Sequence, residues 1–351
     1  MSGGATETVL VEQVGALGHI TLNRPRAINA LDHAMVRRMT DVLTGWADDD
    51  TVSAVVVTGA GERGLCAGGD IRAIRADALE GGDGARAFWR DEYLLNALIA
   101  DFPKPYVAIM DGVVMGGGVG VSAHGDLRVV TERSRVAMPE TGIGFVPDVG
   151  GTYLLSRAPG ELGTHLALTA DAVGAADAIL CGLADRFVPV ERVPALLEAL
   201  AAGDPGTVVE RFAAPAPPGE LAGRRAWIDA CYAADTVEEI LDRLVDSGVP
   251  EAKEAAGRIA AKSPTSLKVT LAALRRARAL GSLALVLDQE YRVSCATLDT
   301  ADLVEGIRAR VVDKDRDPQW SPATLAEVEP AAVEAFFAPL GAAELGLCPR
   351  G

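Results

Sequence analysis

The chain has 351 residues, is 49% hydrophobic and carries a formal net charge of −16. That length buries a large core without crosslinks. The acidity excludes a general affinity for nucleic acid or an anionic membrane, though local donors can still hold an anionic ligand.

The opening segments TVLVEQVG and GHITLN predict a hairpin. DHAMVRRMTDVLTGWADD follows as a helix with Asp32 as N-cap and Val36, Met39, Val42, Leu43 and Trp46 on one face. SAVVVTG (53–59) is a short apolar strand, AFWRDEYLLNALIADF (87–102) a helix, and Lys104-Pro105 its stop. YVAIMDGVV (106–114) is a further buried strand, continued by LRVVT (127–131) and RVAM (135–138). Strand and helix in alternation imply a largely parallel α/β core over 1–205. The stretch 201–223, AAGDPGTVVERFAAPAPPGELAG, predicts a linker or loose crossing. Beyond it helical patterns dominate, so 206–351 forms a mainly helical C-terminal region.

Five cysteines (Cys66, Cys181, Cys231, Cys295, Cys348) stand far apart with no CxxC pair, which predicts reduced thiols and no metal framework. No stretch approaches the ~20 apolar residues of a membrane span, and MSGGATETVLVEQVG lacks the pattern of a secretory signal. These features together predict a cytoplasmic protein without membrane or nucleic-acid partners.

Two turns rich in small residues end strands: LCAGGDIRAI (65–74) and Gly116-Gly117-Gly118. Their free N–H groups could converge on one oxygen as an oxyanion hole, or belong to two unrelated loops. Gly118-x-Gly120-x-x-Ala123 imitates a dinucleotide fingerprint but lies too far along the domain for one. GVSAH (120–124) imitates a nucleophile elbow around Ser122, with His124 where its last glycine belongs. DKDRD (313–317) starts like a calcium loop, but Pro318 takes its glycine position and Thr324 its glutamate. His124 and His165 read as packed or solvated side chains. VAMPETGIGFVPDVGG (136–151) places two acids, Glu140 and Asp148, in an otherwise apolar loop. They either cap local backbone donors or, with the two glycine turns, make up an acyl or enolate enzyme.

LNRPRAINAL (22–31), GLCAGGDI (64–71), KPYVAIMDGVVMGGGVGVSAHGD (104–126) and MPETGIGFVPDVGG (138–151) resemble the crotonase superfamily, the enoyl-CoA hydratase/isomerase group. PETGIGFVPDVGGTYLLSR, SPTSLKVT (263–270) and EGIRARVVDKDRDPQW (305–320) are similar to its 3-hydroxyisobutyryl-CoA hydrolase branch, a thioesterase of valine degradation. The resemblance spans about residues 8–325. It implies a spiral of repeated ββα units, an acyl-CoA substrate and no cofactor beyond the CoA that the substrate carries. It also implies oxyanion donors at the N–H groups of Gly69 and Gly117, lined by Gly68 and Gly116. One of the two hydratase glutamates matches Glu140, and the other falls on Gly120, which speaks against hydration. Asp148 matches the acid that enters the site in the hydrolase branch, and Glu92 the one that contacts the acyl group. Arg24 or Arg26, and Lys314, are the residues placed to meet CoA phosphate, with the backbone of Ala67, Asp70 and Ile71 flanking the adenine. Open alternatives are an enoyl-CoA isomerase or hydratase of the same fold, a non-catalytic CoA-binding module and, more distantly, a nicotinamide enzyme. The acyl preference and the oligomeric state, a homo-oligomer included, also stay open.

Overall fold

A computed structural model describes residues 7–347, so Cys348 lies outside the described residues. Strands β1 (Val9–Val14) and β2 (Leu17–Leu22) form the expected hairpin, with Val9 opposite Leu22. The later strands are β3 (Ala54–Gly59), β4 (Tyr106–Met110), β5 (Val113–Met115), β6 (Leu127–Val130), β7 (Arg135–Ala137) and β8 (Arg186–Phe187). The larger sheet runs β1-β2-β3-β4-β6-β8 and is parallel from β2 onward.

The continuous apolar runs of β3 and β4 fit strands covered on both faces. Val55, Val57, Ala108 and Met110 face the main core. Alternate residues Ala54, Val56, Val107 and Ile109 face a second cluster with Leu196, Leu200, Val208 and Val209.

After each long strand the chain turns into a shorter one. β5 and β7 pair in parallel, and bridges join Cys66 to Val114 and Leu31 to Gly69. This repetition of a long strand, a short strand and a helix is the expected α/β spiral. The predicted single strand over 106–114 is in fact two strands in different sheets. Gly112, at φ +62°, makes the corner between them, and a Cβ there would lie 2.6 Å from the Arg63 carbonyl oxygen.

The His33–Ala47 helix starts as expected at Asp32, whose carboxylate accepts from Met35 N–H at 2.9 Å, and it buries Val36, Met39, Val42 and Leu43. The next long helix, Asp83–Ala100, begins a turn earlier than its apolar pattern suggests. The predicted linker contains a capped helix, Pro205–Phe212: Asp204 accepts from Thr207 N–H, and proline fills the first turn. Its Val208 and Val209 are buried, so the proline-rich composition hid a packed element. In the C-terminal region the Pro264–Leu280 and Leu283–Thr297 helices pack against Gly151–Ser156 and Asp83–Ala100.

Gly64 is where successive passes of the spiral touch backbone to backbone. At φ +154°, a Cβ on it would stand 2.2 Å from Val113 N, which no rotamer relieves. Gly64→Ala should therefore destabilise the fold by roughly 3 kcal/mol or more. Urea denaturation checks this, and a loss below about 1 kcal/mol would show that the passes can separate cheaply.

Candidate active site

Two chain reversals build one wall of the site. Gly68 sits at φ +102° and Gly116 at φ +49°. Around the first, Leu31 N–H donates to the Gly68 carbonyl and Asp70 N–H to the Leu31 carbonyl, passing over Gly69. Around the second, Gly116 N–H donates to the Ala137 carbonyl, passing over Gly117. Among the described residues the N–H groups of Gly69 and Gly117 have no hydrogen-bond partner. They lie close together, since a Cβ built on Gly117 would fall 3.3 Å from Gly69 N and 2.5 Å from Glu92 Oε1. Any side chain at 117 would fill the space between donors and acid.

Three carboxyls face that space. Glu92 comes from the middle of Asp83–Ala100, Glu140 opens the one-turn helix Glu140–Ile143, and Asp148 follows in the same loop. They are only 2%, 5% and 5% exposed. Glu92 Oε1 and Glu140 Oε2 have no partner, and Glu140 Oε1 is 2.8 Å from a Cβ built on Gly116. Asp148 Oδ2 accepts from the Tyr93 hydroxyl at 2.7 Å, and that hydroxyl lies 2.6 Å from Ser294 Oγ. The cavity they line is about 390 Å³. Its apolar wall includes Ile74, Phe88, Ile143 and the stacked rings of Trp89 and Phe145, whose centroids are 5.2 Å apart.

None of the three makes an ion pair among the described residues, so burial dominates. It pushes Glu92 and Glu140 well above the carboxylate range, and Asp148 adds to both by like-charge repulsion. Asp148 is pushed up to about 7 by burial, with the Tyr93 hydroxyl pulling the other way. A fourth acid, Glu290, accepts from Gly150 N–H at 2.6 Å and Thr152 N–H at 2.9 Å, and meets Thr152 Oγ1 at 2.5 Å. Burial still pushes it up to about 8.

Of the residues singled out in the sequence, Ala67, Gly68, Gly69, Ile71, Glu92, Gly116, Gly117, Glu140 and Asp148 line this one cavity. Asp70 does not: it caps the Ile71–Ala78 helix, pairs with Arg24 at 2.9 Å and lines a neighbouring hollow. Arg24 is thereby engaged, its other nitrogen donating to the Ala30 carbonyl. Arg26 and Lys314 are exposed and outside the lining, where Arg310 stands instead. The imitations resolve as packing: Ser122 donates to the Gly118 carbonyl, His124 to the Val149 carbonyl, and His165 meets the Tyr232 hydroxyl. In DKDRD, Asp313 and Asp315 fold back onto Arg308. Tyr93, Glu290, Ser294 and Arg310 are the residues that sequence reasoning missed. Glu290 and Ser294 had a signal, as polar residues four apart on the buried stripe of an apolar helix.

Comparison with known proteins gives a consistent picture. The family described as enoyl-CoA hydratase/isomerase matches residues 17–337. A Rattus norvegicus protein named 3-hydroxyisobutyryl-CoA hydrolase, mitochondrial, is 42% identical over 97% of this chain and 91% of its own length. The Homo sapiens protein of that name is 40% identical over the same shares. A solved structure named carnitinyl-CoA dehydratase, from Mycobacterium thermoresistibile, superposes with TM-score 0.95 at 54% identity, covering 98% of this chain and 100% of that one. An enoyl-CoA hydratase from Rhodobacter sphaeroides gives TM-score 0.91 at 43% identity, covering 97% and 99%. The relatives' mitochondrial names overturn the cytoplasmic expectation. Buried free thiols at Cys66, Cys181, Cys231 and Cys295, and the lack among described residues of a helix able to cross a membrane, do not specify one compartment.

The acid cluster sets a pH dependence of stability. A carboxyl whose folded pKa exceeds its unfolded value keeps a proton that the unfolded chain has lost. It stabilises the fold in acid, and that contribution disappears as pH rises through the folded pKa. For Asp148 and Glu290 the loss runs from about 4 to about 7 and about 8. The melting temperature of the ligand-free protein should fall between about pH 6.5 and 8, the part of that window lying above the ordinary histidine pKa. The fall should be shallower in Glu290→Gln; equal slopes would mean that Glu290 is already ionised in the fold.

Proposed function

The chain belongs to the enoyl-CoA hydratase/isomerase family, and we propose that within it the protein is a thioester hydrolase, converting 3-hydroxyisobutyryl-CoA and water to 3-hydroxyisobutyrate and CoA. The observation that carries this reading is the meeting of two unpartnered N–H groups, at Gly69 and Gly117, with the Glu140 carboxyl in one apolar cavity. Donors held in advance stabilise an oxygen that becomes negative, and they do so best where water is excluded.

In this reading the thioester carbonyl oxygen lies between the two donors. The Glu140 carboxylate then either attacks the carbonyl carbon, or takes a proton from water that attacks it. Collapse of the tetrahedral species breaks the carbon–sulfur bond and releases CoA as its thiolate. On the first route, water then opens the resulting anhydride between the acyl group and Glu140. A thiolate leaves readily, so the acid side of the site has little work to do. Asp148 lies close enough to Glu140 to raise its pKa, so the two carboxyls share charge as a pair, and Asp148 holds water or carries its proton. Glu92, aimed at the Gly117 turn, contacts the acyl end. The reaction calls for no cofactor beyond the CoA of the substrate.

Names among the relatives span a hydrolase, a dehydratase and a hydratase. Position 120 favours the first, because a side chain there has no room. A Cβ on Gly120 would stand 2.7 Å from Val149 Cβ and 2.8 Å from Asn96 Nδ2. Dehydration would leave the thioester intact and create a conjugated enoyl chromophore, whereas hydrolysis frees a thiol. With 3-hydroxyisobutyryl-CoA we expect stoichiometric thiol release and no enoyl absorbance; the opposite pair of results would overturn the assignment.

Two substitutions divide the acids by role. Glu140→Gln should lower thiol release by roughly 10²–10⁴ while acyl-CoA still binds. Near-normal turnover in this variant would remove Glu140 from the mechanism. Asp148→Asn should also cut turnover steeply, and the residual activity should titrate at lower pH because Glu140 loses its charged neighbour. A drop in melting temperature, with rate and pH profile unchanged, would reduce Asp148 to a loop anchor.

A further inference from the structure

The cavity's three acids are not treated alike by their surroundings. Glu92 Oε1 and Glu140 Oε2 meet no donor, whereas Asp148 receives a side-chain hydrogen bond from Tyr93. Tyr93 and Ser294 are wholly buried. Tyr93 has one proton to give, and Ser294 Oγ, 2.6 Å away, has no other partner. A carboxylate cannot donate, so an ionised Asp148 fixes the direction of the chain: Ser294 donates to Tyr93, and Tyr93 to Asp148. Tyr291 braces the Tyr93 ring edge-on, with centroids 6.2 Å apart.

We propose that Tyr93 is a positioning residue of the reaction: oriented by Ser294, it fixes the Asp148 carboxylate and makes it the preferred seat of the negative charge shared by the acids. The ionisable groups around Asp148 are Glu92 and Tyr93 from Asp83–Ala100, Glu140 from its turn, and Glu290 from Leu283–Thr297. All are acids, and no lysine or arginine contributes to the ionisation of Asp148. Among the three acids of the cavity only Asp148 receives a side-chain donor, and that bond favours the first charge there. A hydrogen bond to a charged group is worth more than a neutral one, which corresponds to about one to two pH units. The first ionisation of the Glu140–Asp148 pair therefore occurs at lower pH with Tyr93 than without it, whichever acid then reacts.

The inference rests on the hydrolase reading for its kinetic arm only. Tyr93→Phe removes one oxygen and keeps the ring; Ser294→Ala leaves the tyrosine and removes its anchor. Aspartate labelled with ¹³C at the carboxyl carbon reports Asp148 directly by NMR, with its signal assigned by comparison with Asp148→Asn. Thiol release from 3-hydroxyisobutyryl-CoA between pH 5 and 9 gives the acid limb of kcat. In Tyr93→Phe we expect Asp148 to titrate about one to two units higher, with the acid limb moving the same way. Ser294→Ala should shift both by less. An unmoved Asp148 titration in folded Tyr93→Phe, whatever happens to melting temperature or rate, would reduce Tyr93 to packing and overturn the proposal. Should Tyr93→Phe fail to fold, Ser294→Ala decides by the same criterion. If the wild type releases no thiol, the hydrolase reading falls, while the NMR titration still decides the role of Tyr93.

Discussion

Close approach of backbone to backbone is the constraint on which this structure depends. Successive passes of the spiral touch at Gly64 against Val113, at Gly118 against the Cys66 carbonyl, and at Gly117 against Gly69. No Cβ fits against backbone at Gly64 or Gly118, and one at Gly117 would press on Glu92, so the short strands stack at a separation that glycine allows. Two consequences follow from one packing rule. The small second sheet closes, and the amides of Gly69 and Gly117, both passed over by their local hydrogen bonds, come to face the same space. The donors are thus products of how the spiral stacks, and their position is as rigid as the core beneath them.

Against this backbone wall the chain sets a costly group of acids, and the C-terminal helices make that arrangement tenable. Val149, next to Asp148, adopts φ +53°, a conformation that costs a β-branched residue about 1–3 kcal/mol. The surrounding bonds hold it there. His124, kept neutral by burial that pushes its pKa to about 4, donates to the Val149 carbonyl. Glu290 receives the amides of Gly150 and Thr152 just beyond. Ser294, four residues later and on the same side of the helix, meets Tyr93 beneath Asp148. The helical region after residue 220 therefore belongs to the electrostatics of the site as well as to its cover.

Much of this was legible in the sequence, for reasons that also explain the gaps. The hairpin, the Asp32-capped helix and the apolar strand at 53–59 follow from local periodicity and capping, and the structure has them. The acids of the 138–151 loop stood out because nothing around them was polar. What failed was whatever depends on distant chain. The run 106–114 is apolar throughout, so periodicity could not locate the corner at Gly112. Arg24 looked available for phosphate because its partner, Asp70, lies 46 residues away. Tyr93 and Ser294 are separated by 201 residues, and no local pattern announces that they share a proton chain. Pro205 hid a helix by composition, although Asp204 before it was a usable cap signal.

The glycine at position 120 shows how the packing bears on the choice of reaction. Read in isolation, it is a missing side chain that a single substitution could restore. In the fold, the space is filled from two sides, by Val149 and by Asn96. Val149 is held at its strained φ by bonds at its own carbonyl and at the next amide, and it adjoins Asp148 in the chain, so it cannot yield without disturbing that acid. Asn96 is buried without a hydrogen-bond partner at either amide atom, one turn beyond Glu92 on the same helix. A glutamate introduced at 120 would bring another carboxyl beside four acids that make no ion pair among the described residues, and burial would raise its pKa. The placement of Asp148 and the filling of position 120 are therefore linked by Val149. A site that aims its second acid from the 148 side gives up the room for one on the 120 side, so the two carboxyls that remain approach the Gly69 and Gly117 amides from the same loop.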